Sequence, residues 1–305
     1  MKTLMMLAAA AVATPAPKAA LAPSEIVAAA SASDWVAIAA SDLLVMDLAN
    51  GKRVVIQLMP PPFSQGWVGN IRKLAAARWW DGTSVNRVQD NYVVQWGDAN
   101  AEDKAKAKKL PLLTNLRGAD DYARVNAKAA HNWDNPVTRA LGLGNDVMHW
   151  HSFWRGFAFQ HVGSPDSTVS WPVHCYGMVG VGRDMPPDTG TGAELYTVIG
   201  HAPRHLDRNI ALVGRVISGI EHLSSLPRGT GALGFYEKPE ERTGITSIRL
   251  GTDVKDVPRF EYLSTESASF ATYADARANR RDPFFIQPAG GADICNIPVP
   301  VRVVK

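Results

Sequence analysis

Short runs of β-prone residues alternate with turn residues along much of the chain. Leu43–Leu48 and Arg53–Leu58 are two such runs, and Asn50-Gly51 lies between them. Because Asn-Gly suits the positive φ angles of a tight turn, these runs are predicted to pair as an antiparallel hairpin. Further short strands are predicted at Ser84–Val88, Tyr92–Trp96, Ala193–Ile199 and Ile210–Val216.

Two stretches instead have helical periodicity. In the first, Trp67, Ile71 and Leu74 share one face, and Ser64 is placed to cap the helix start. The second stretch is Ser218–Leu226, whose apolar residues recur at helical spacing. Many short strands with two helices predict a mainly β fold, a closed antiparallel barrel capped by helices.

Two regions do not fit a simple barrel. Residues 99–173 hold a tract rich in Trp, Phe and His, and they are interpreted as an insertion. Residues 227–305 have β-like runs, a predicted helix at Ala268–Asn279 and the Pro-interrupted end Ile297–Val301. Proline within a strand favours a sheet edge, so we expect an extension packed on a barrel domain of residues 41–226.

The N-terminus has the pattern of a secretory signal peptide. Lys2 precedes the apolar run Leu4–Ala13, and small residues and prolines follow. We expect cleavage near residue 22, a flexible lead-in at residues 23–40, and an exported protein, periplasmic or secreted. An Ala-rich disordered leader is the alternative. No later apolar run is long enough to predict a membrane-spanning helix, so no stable membrane insertion is expected after cleavage.

Composition and charge are those of an ordinary globular protein. The 305 residues are 46% hydrophobic and carry a formal net charge of +3, which gives no support to nucleic-acid binding. Cys175 and Cys295 are the two cysteines. In an oxidising compartment they could form one disulfide, and two buried thiols are the alternative.

Three further patterns could indicate a function, but each has a simpler structural interpretation. Gly229–Gly234 matches the dinucleotide motif G-x-G-x-x-G, but a predicted helix precedes it and charged residues follow, so we discount it. His149, His151 and His161 are interleaved with aromatic residues, which favours packing over a metal site. The lysine-rich run at residues 104–109 is interpreted as a solvated helix face.

Two blocks of the chain carry motifs in a fixed order. The first block ends with Asp81–Val88 and Tyr92–Asp98, in which Arg87, Tyr92 and Gln95 have the spacing Arg-x4-Tyr-x2-Gln. The second block consists of Gly190–Tyr196, His201–Asp207 and Val213–Val216. Together the blocks resemble the cyclophilin family of peptidyl-prolyl cis-trans isomerases. The resemblance implies an eight-stranded closed barrel capped by two helices, proline-containing polypeptides as partners, and no cofactor or metal.

The resemblance also implies roles for individual residues. Arg87 would be the catalytic donor, since rotation about an X–Pro bond changes no covalent bond and needs only a fixed donor for the twisted amide. Gln95 would bind substrate backbone, Glu194 would be a further substrate-binding residue, and His205 would lie at the pocket rim. The walls of the proline pocket would be Tyr92, Val93, Tyr196 and Leu206.

Several positions depart from the family pattern. Val93 stands for a pocket Met, Glu194 for a Gln, Gly180 for a substrate-contacting Asn, and Ile210 for a His. Glu194 is expected to pair with Arg87 and reduce activity. Two functions therefore stay open: an isomerase of exported proteins, or a catalytically weak or inactive module that binds Pro-containing segments. A third, an unrelated β-barrel structural protein, requires rejecting the resemblance.

Overall fold

The computed structural model describes residues 19–116, 124–125, 149–164 and 167–304, so most of the predicted signal peptide lies outside the described residues. Within these ranges the helices are α1 Pro23–Ala29, α2 Gln65–Ala76, α3 Glu221–Ser224 and α4 Ala268–Ala278. The first strands are β1 Trp35–Ile38, β2 Leu43–Leu48, β3 Arg53–Leu58, β4 Ser84–Val88, β5 Val93–Gly97, β6 Arg124–Val125, β7 His149–Trp154 and β8 Phe157–Ser164. The others are β9 Ser167–Pro172, β10 Met178–Val181, β11 Leu195–Val198, β12 Leu212–Ser218, β13 Thr243–Leu250, β14 Phe260–Leu263 and β15 Val301–Val303.

Eight strands close into an antiparallel barrel in the order β10-β11-β5-β4-β13-β2-β3-β12. The predicted mainly β, eight-stranded fold is confirmed. The β2–β3 hairpin has the predicted turn, with Gly51 at a φ of 77°. Side chains alternate along each strand, so Leu44, Met46, Val54 and Ile56 all face the barrel core.

Helix α2 adds its apolar face to this core. Trp67, Ile71 and Leu74 are each fully buried there, as their spacing predicted. The predicted cap is wrong, because Ser64 has a left-handed backbone with a φ of 56° and its side chain makes no capping hydrogen bond. The second predicted helix forms only over the four residues Glu221–Ser224.

The predicted barrel boundary at residue 226 is wrong, because the barrel includes a later strand. Strand β13 pairs with β2 on one side and with β4 on the other, so residues 243–250 close the barrel. The sequence shows this run as β-like, but its two partners lie far away along the chain. The remainder of the predicted extension packs outside the barrel.

The predicted flexible lead-in is also wrong. Strand β1 pairs with β14, placing Trp35 opposite Leu263, and β15 forms the other edge of this three-stranded sheet. Helix α1 buries Ile26 in the same apolar cluster as Phe270 and Tyr273 of α4. Helix α1 and strand β1 are therefore held by the C-terminal extension. The edge position of β15, just after Pro298 and Pro300, is as expected for a proline-interrupted strand.

The insertion forms a second sheet in the order β6-β9-β8-β7, beside the barrel. Phe157 and Phe159 of β8 belong to the barrel's apolar core. The lysine-rich run forms turns, not the predicted helix face. The Asp103 and Asp98 carboxylates accept backbone hydrogen bonds from Ala105 and Lys108 at 3.0 and 2.6 Å. Such side-chain acceptors compete with helical hydrogen bonding.

A disulfide joins the two cysteines, Cys175 and Cys295. Cys175 lies just before β10 of the barrel, and Cys295 lies in the segment that leads to β15. The bond therefore ties the C-terminal extension to the barrel wall. Among the described residues, none of the helices has the length and apolar character needed to cross a membrane.

Candidate active site

Three of the predicted site residues, Arg87, Gln95 and Tyr196, lie with Gly180 in one row across four neighbouring strands. Arg87 of β4 is opposite Gln95 of β5, Gln95 is opposite Tyr196 of β11, and Tyr196 is opposite Gly180 of β10. Directly opposed residues project from the same face of a sheet. Val94 and Trp96, on either side of Gln95, face the barrel core, so the row lies on the outer surface.

The Arg87 guanidinium is held by three acceptors. Its Nη1 donates to Gln95 Oε1 at 3.0 Å, its Nε donates to the Leu233 carbonyl oxygen at 2.7 Å, and its Nη2 donates to Gln89 Oε1. The rings of Tyr92 and Phe235 lie 5.6 and 5.3 Å from the guanidinium carbon. Burial lowers the pKa of Arg87, but an arginine stays charged at neutral pH. The result is a fixed cationic donor.

A glycine-rich strap, residues 229–236, contacts Arg87 on the side of β4 away from β5. It runs beside β4, where the Gly229 amide donates to the Val88 carbonyl oxygen at 3.0 Å, and the Tyr236 amide to the Asn86 carbonyl oxygen at 3.0 Å. Gly234 has a φ of 80°, and a Cβ there would lie 2.7 Å from the Gln89 Cα. The glycines of this segment, whose spacing matches a dinucleotide motif, instead allow its backbone to lie close to β4.

Leu233 and Phe235 of this strap are contacts that the sequence reasoning missed. Leu233 has a φ of 55° and ψ of 17°, which turns its carbonyl oxygen toward Arg87 while its side chain is largely exposed. Left-handed backbone at a leucine is uncommon, and no sequence pattern indicates it. The discounted glycine pattern was the one available signal for a tight loop here.

The expected ion pair between Glu194 and Arg87 does not form. Glu194 Oε1 instead accepts a hydrogen bond from Gln95 Nε2. Gln95 is therefore fixed at both ends of its amide, since its oxygen accepts from Arg87. Burial raises the pKa of Glu194, and the Gln95 hydrogen bond opposes that shift.

Helix α2 and the turn after it position the loop that carries Glu194. The buried Asn70 donates to the Thr191 carbonyl oxygen at 3.1 Å, and the Trp80 indole donates to the Ala193 carbonyl oxygen at 2.8 Å. Both acceptors lie just before Glu194. The loop that enters β11 is therefore fixed by side chains of α2 and of the turn that follows it.

The predicted pocket walls come together beside Gln95. Val93, Tyr196 and Val198 are buried in a small apolar cluster outside the barrel core, with Tyr92, Leu206 and Ile210 packed against it. His205 is exposed and stacks on Tyr92, with ring centroids 6.3 Å apart and planes 12° apart. The structure thus brings these five residues together next to the cationic donor: Val93 and Tyr196 are buried, and the more exposed Tyr92, Leu206 and His205 form the surface above them.

A buried polar chain behind Tyr196 was not foreseen. The Tyr196 hydroxyl lies 2.8 Å from His174 Nε2, and His174 Nδ1 lies 2.7 Å from Asp207 Oδ1. Arg204 Nε donates to Asp207 Oδ2 at 2.6 Å. Burial lowers the pKa of His174 despite the neighbouring carboxylate. Burial alone would raise the pKa of Asp207, but the hydrogen bonds from His174 and Arg204 lower it overall.

Comparisons with known proteins identify the family and the fold of this chain. The family model described as cyclophilin type peptidyl-prolyl cis-trans isomerase/CLD matches residues 46–250, ending where β13 ends. The crystal structure of cyclophilin AquaCyp293 from Hirschia baltica is 20% identical, with a TM-score of 0.66, and the match covers 89% of this chain and 94% of that chain.

A second solved structure is a cyclophilin type peptidyl-prolyl cis-trans isomerase from Cryptosporidium parvum in the presence of the dipeptide Ala-Pro. It is 11% identical, with a TM-score of 0.41, and covers 68% of this chain and 98% of that chain. A search of the curated proteins found no relative. Because the family model spans more than half of the sequence, this chain belongs to the cyclophilin-type peptidyl-prolyl cis-trans isomerase family.

Proposed function

We propose that this protein accelerates the cis–trans isomerisation of X–Pro bonds in exported polypeptides. The observation that carries the proposal is the fixed Arg87 guanidinium beside the apolar surface of Tyr92, Val93, Tyr196 and Leu206. The apolar surface would bind the proline ring. The guanidinium would reach the prolyl nitrogen.

The reaction needs no bond making or breaking, since only the amide must rotate. Rotation has a barrier of about 18–20 kcal/mol because amide resonance is lost in the twisted state. The prolyl nitrogen then regains its lone pair and becomes a better hydrogen-bond acceptor. A donor fixed at that nitrogen binds the twisted state more strongly than the planar one, which is the requirement for catalysis.

The guanidinium has donors to spare for this task. It has five N–H groups, and its three nitrogens each donate to one protein acceptor. Two N–H groups therefore stay available to a substrate. A hydrogen bond from a charged donor contributes about 1.5–3 kcal/mol, which corresponds to roughly a 10- to 100-fold gain in rate if it forms only in the twisted state.

The alternative function is binding of Pro-containing segments without turnover. It is favoured by Gly180 and Ile210, which replace polar substrate contacts of the family with residues that lack hydrogen-bonding side chains. These changes leave Arg87 and its acceptors in place, and the isomerase is therefore the better-supported function.

The deciding experiment is exchange NMR spectroscopy on an Ala-Pro peptide with wild-type protein, Arg87→Ala and Arg281→Ala. Arg281 is a matched control because it pairs with Asp275 in the C-terminal extension. Acceleration that is lost in Arg87→Ala and kept in Arg281→Ala supports the isomerase. A wild type that binds the peptide without acceleration supports the binding module. A wild type that neither binds nor accelerates contradicts both.

We also propose that the protein acts after export, in the periplasm or outside the cell. The signal-like N-terminus and the Cys175–Cys295 disulfide support this, because disulfides persist in oxidising compartments. Helix α1 begins at Pro23, directly after the expected cleavage region. Fractionation of cells that express the full chain, with N-terminal sequencing, should find mature protein that starts near residue 23. Uncleaved protein in the cytoplasm would contradict the proposal.

A further inference from the structure

We infer that His174 is a positioning residue that holds Tyr196 in the proline pocket and links the pocket to the inserted sheet. The inference rests on the proposed function, because it assigns a role in that same site. His174 touches neither the expected substrate position nor Arg87, and it would act through Tyr196 alone.

The orientation of Tyr196 depends on the absence of a side chain at Gly180. The two residues are directly opposed on β10 and β11. A Cβ at Gly180 would lie 2.3 Å from both Cζ and the hydroxyl oxygen of Tyr196, so the tyrosine ring occupies that space. The ring is nearly parallel to the His174 ring, with planes 10° apart. Gly180 and Tyr196 thus form a matched pair, in which the ring crosses the neighbouring strand to reach His174.

The hydrogen bonds fix the tautomer of His174. An ionised Asp207 carboxylate only accepts, so His174 Nδ1 carries the proton and donates to it at 2.7 Å. Nε2 is then an acceptor, and the Tyr196 hydroxyl donates to it at 2.8 Å. The His174 backbone amide also donates to Asp207 Oδ1 at 3.0 Å. The titratable or charged groups that act on the ring are Asp207, Arg204 and His205, and the largest influence, burial, favours the neutral imidazole.

The chain of contacts continues into the insertion. Arg204 bonds to Asp207 on one side and donates to Gln160 of β8 on the other. The same short turn, Arg204–Leu206, carries His205 and Leu206, two of the residues at the pocket. The inserted sheet therefore supports the pocket from behind, through Arg204 and Asp207. This gives strand β8 of the insertion a role that the barrel motifs alone do not explain.

Without an acceptor at His174 the Tyr196 hydroxyl would be buried and unsatisfied. The Tyr196 ring would then move from its position, because Gly180, which lies directly opposite, has no side chain that could pack against the ring and fix it. The effect should fall on substrate binding, since Tyr196 is a wall of the pocket and makes no contact with Arg87. The contribution of one neutral buried hydrogen bond corresponds to about a 3- to 10-fold loss of kcat/KM, mainly through KM.

The test compares two Tyr→Phe changes in the full-length protein. Tyr196→Phe removes the hydroxyl and leaves His174 with Asp207. Tyr273→Phe is the matched control, because its buried hydroxyl donates to the Pro298 carbonyl oxygen at 2.7 Å, in the extension. Ala-Pro peptide exchange is measured over a range of peptide concentrations, together with the thermal midpoint. His174→Gln and the double variant His174→Gln/Tyr196→Phe complete a cycle.

The expected result is a 3- to 10-fold loss in Tyr196→Phe, no loss in Tyr273→Phe, and no further loss in the double variant beyond His174→Gln. The ¹⁵N resonance of His174 Nε2 should move in Tyr196→Phe, while that of Nδ1 stays. Unchanged kcat/KM in Tyr196→Phe, equal losses in both Phe variants, or an unmoved Nε2 resonance would each overturn the inference. If His174→Gln fails to fold, the two Phe variants still decide.

The proposed function can fail separately. A wild type that neither accelerates exchange nor binds the peptide removes the isomerase and the positioning role together. A wild type that accelerates exchange, with Tyr196→Phe equally active, overturns only the role of His174. In a wild type that binds without turnover, the same comparison is made on the dissociation constant.

Discussion

Removal of the Cys175–Cys295 disulfide should cost a large part of the stability of this protein. The bond closes a loop with a sequence separation of 120, which includes β10 to β14 and helix α4. The chain-entropy relation gives about 5 kcal/mol for a loop of this length at 25 °C, because the cross-link restricts the unfolded chain. A typical domain has a free energy of unfolding of about 5–15 kcal/mol, so the loss is substantial.

The measurement is guanidinium denaturation of oxidised wild type, reduced wild type and the Cys175→Ala/Cys295→Ala double variant. Both disulfide-free forms should unfold at lower denaturant and with a larger m-value, because their unfolded chains expose more surface. The two forms should agree closely, because the stabilisation comes from the cross-link and not from contacts of the sulfur atoms. A loss below about 1 kcal/mol in both forms would refute the chain-entropy reasoning for this loop.

Three further changes have defined outcomes. Gly180→Ala should weaken Ala-Pro peptide binding, seen by NMR titration, because the new Cβ would lie 2.3 Å from the Tyr196 ring; unchanged affinity would contradict the described ring position. Glu194→Gln should be more stable than wild type by an amount that grows as pH rises above the usual Glu range, because burial raises the Glu194 pKa in the folded state and ionisation of the buried carboxyl then costs stability. Thermal midpoints of both proteins from pH 4 to 8 test this, and parallel curves would contradict it. Arg215→Ala should lower the free energy of unfolding by about 2–5 kcal/mol, because the buried side chain packs against Tyr262 at the junction of barrel and extension. Urea denaturation measures this difference, and a change near zero would show that this packing contributes little.

The barrel could be predicted because local patterns determine most of its strands. The Asn50-Gly51 turn and the flanking β-prone runs define one hairpin, and the helical spacing of Trp67, Ile71 and Leu74 defines α2. The strand that closes the barrel could not be predicted in the same way. Strand β13 must find β2, about 200 positions earlier, as Ser247 opposite Asp47 shows, and no local pattern contains that pairing.

The sequence predicted which residues of the candidate site lie close together better than it predicted their hydrogen bonds. Spacing placed Arg87 and Gln95 correctly on neighbouring strands, but it could not show which acceptors the guanidinium takes. Glu194 was expected to pair with Arg87, but it lies just before β11 and accepts a hydrogen bond from Gln95 instead. His174 belongs to none of the motifs found in the sequence, and its hydrogen-bond partners Tyr196 and Asp207 lie 22 and 33 positions away.

The strap of residues 229–236 has a consequence for the order in which the site is assembled. Arg87 comes from the first third of the chain, and the Leu233 carbonyl oxygen that accepts from its Nε lies 146 positions later. A chain that emerges N-terminus first presents β4 and β5 long before the strap and β13 arrive. The Arg87 guanidinium thus gains its last acceptor only after all four pocket strands have emerged, and a chain that ends before the strap would keep the guanidinium but lack this acceptor.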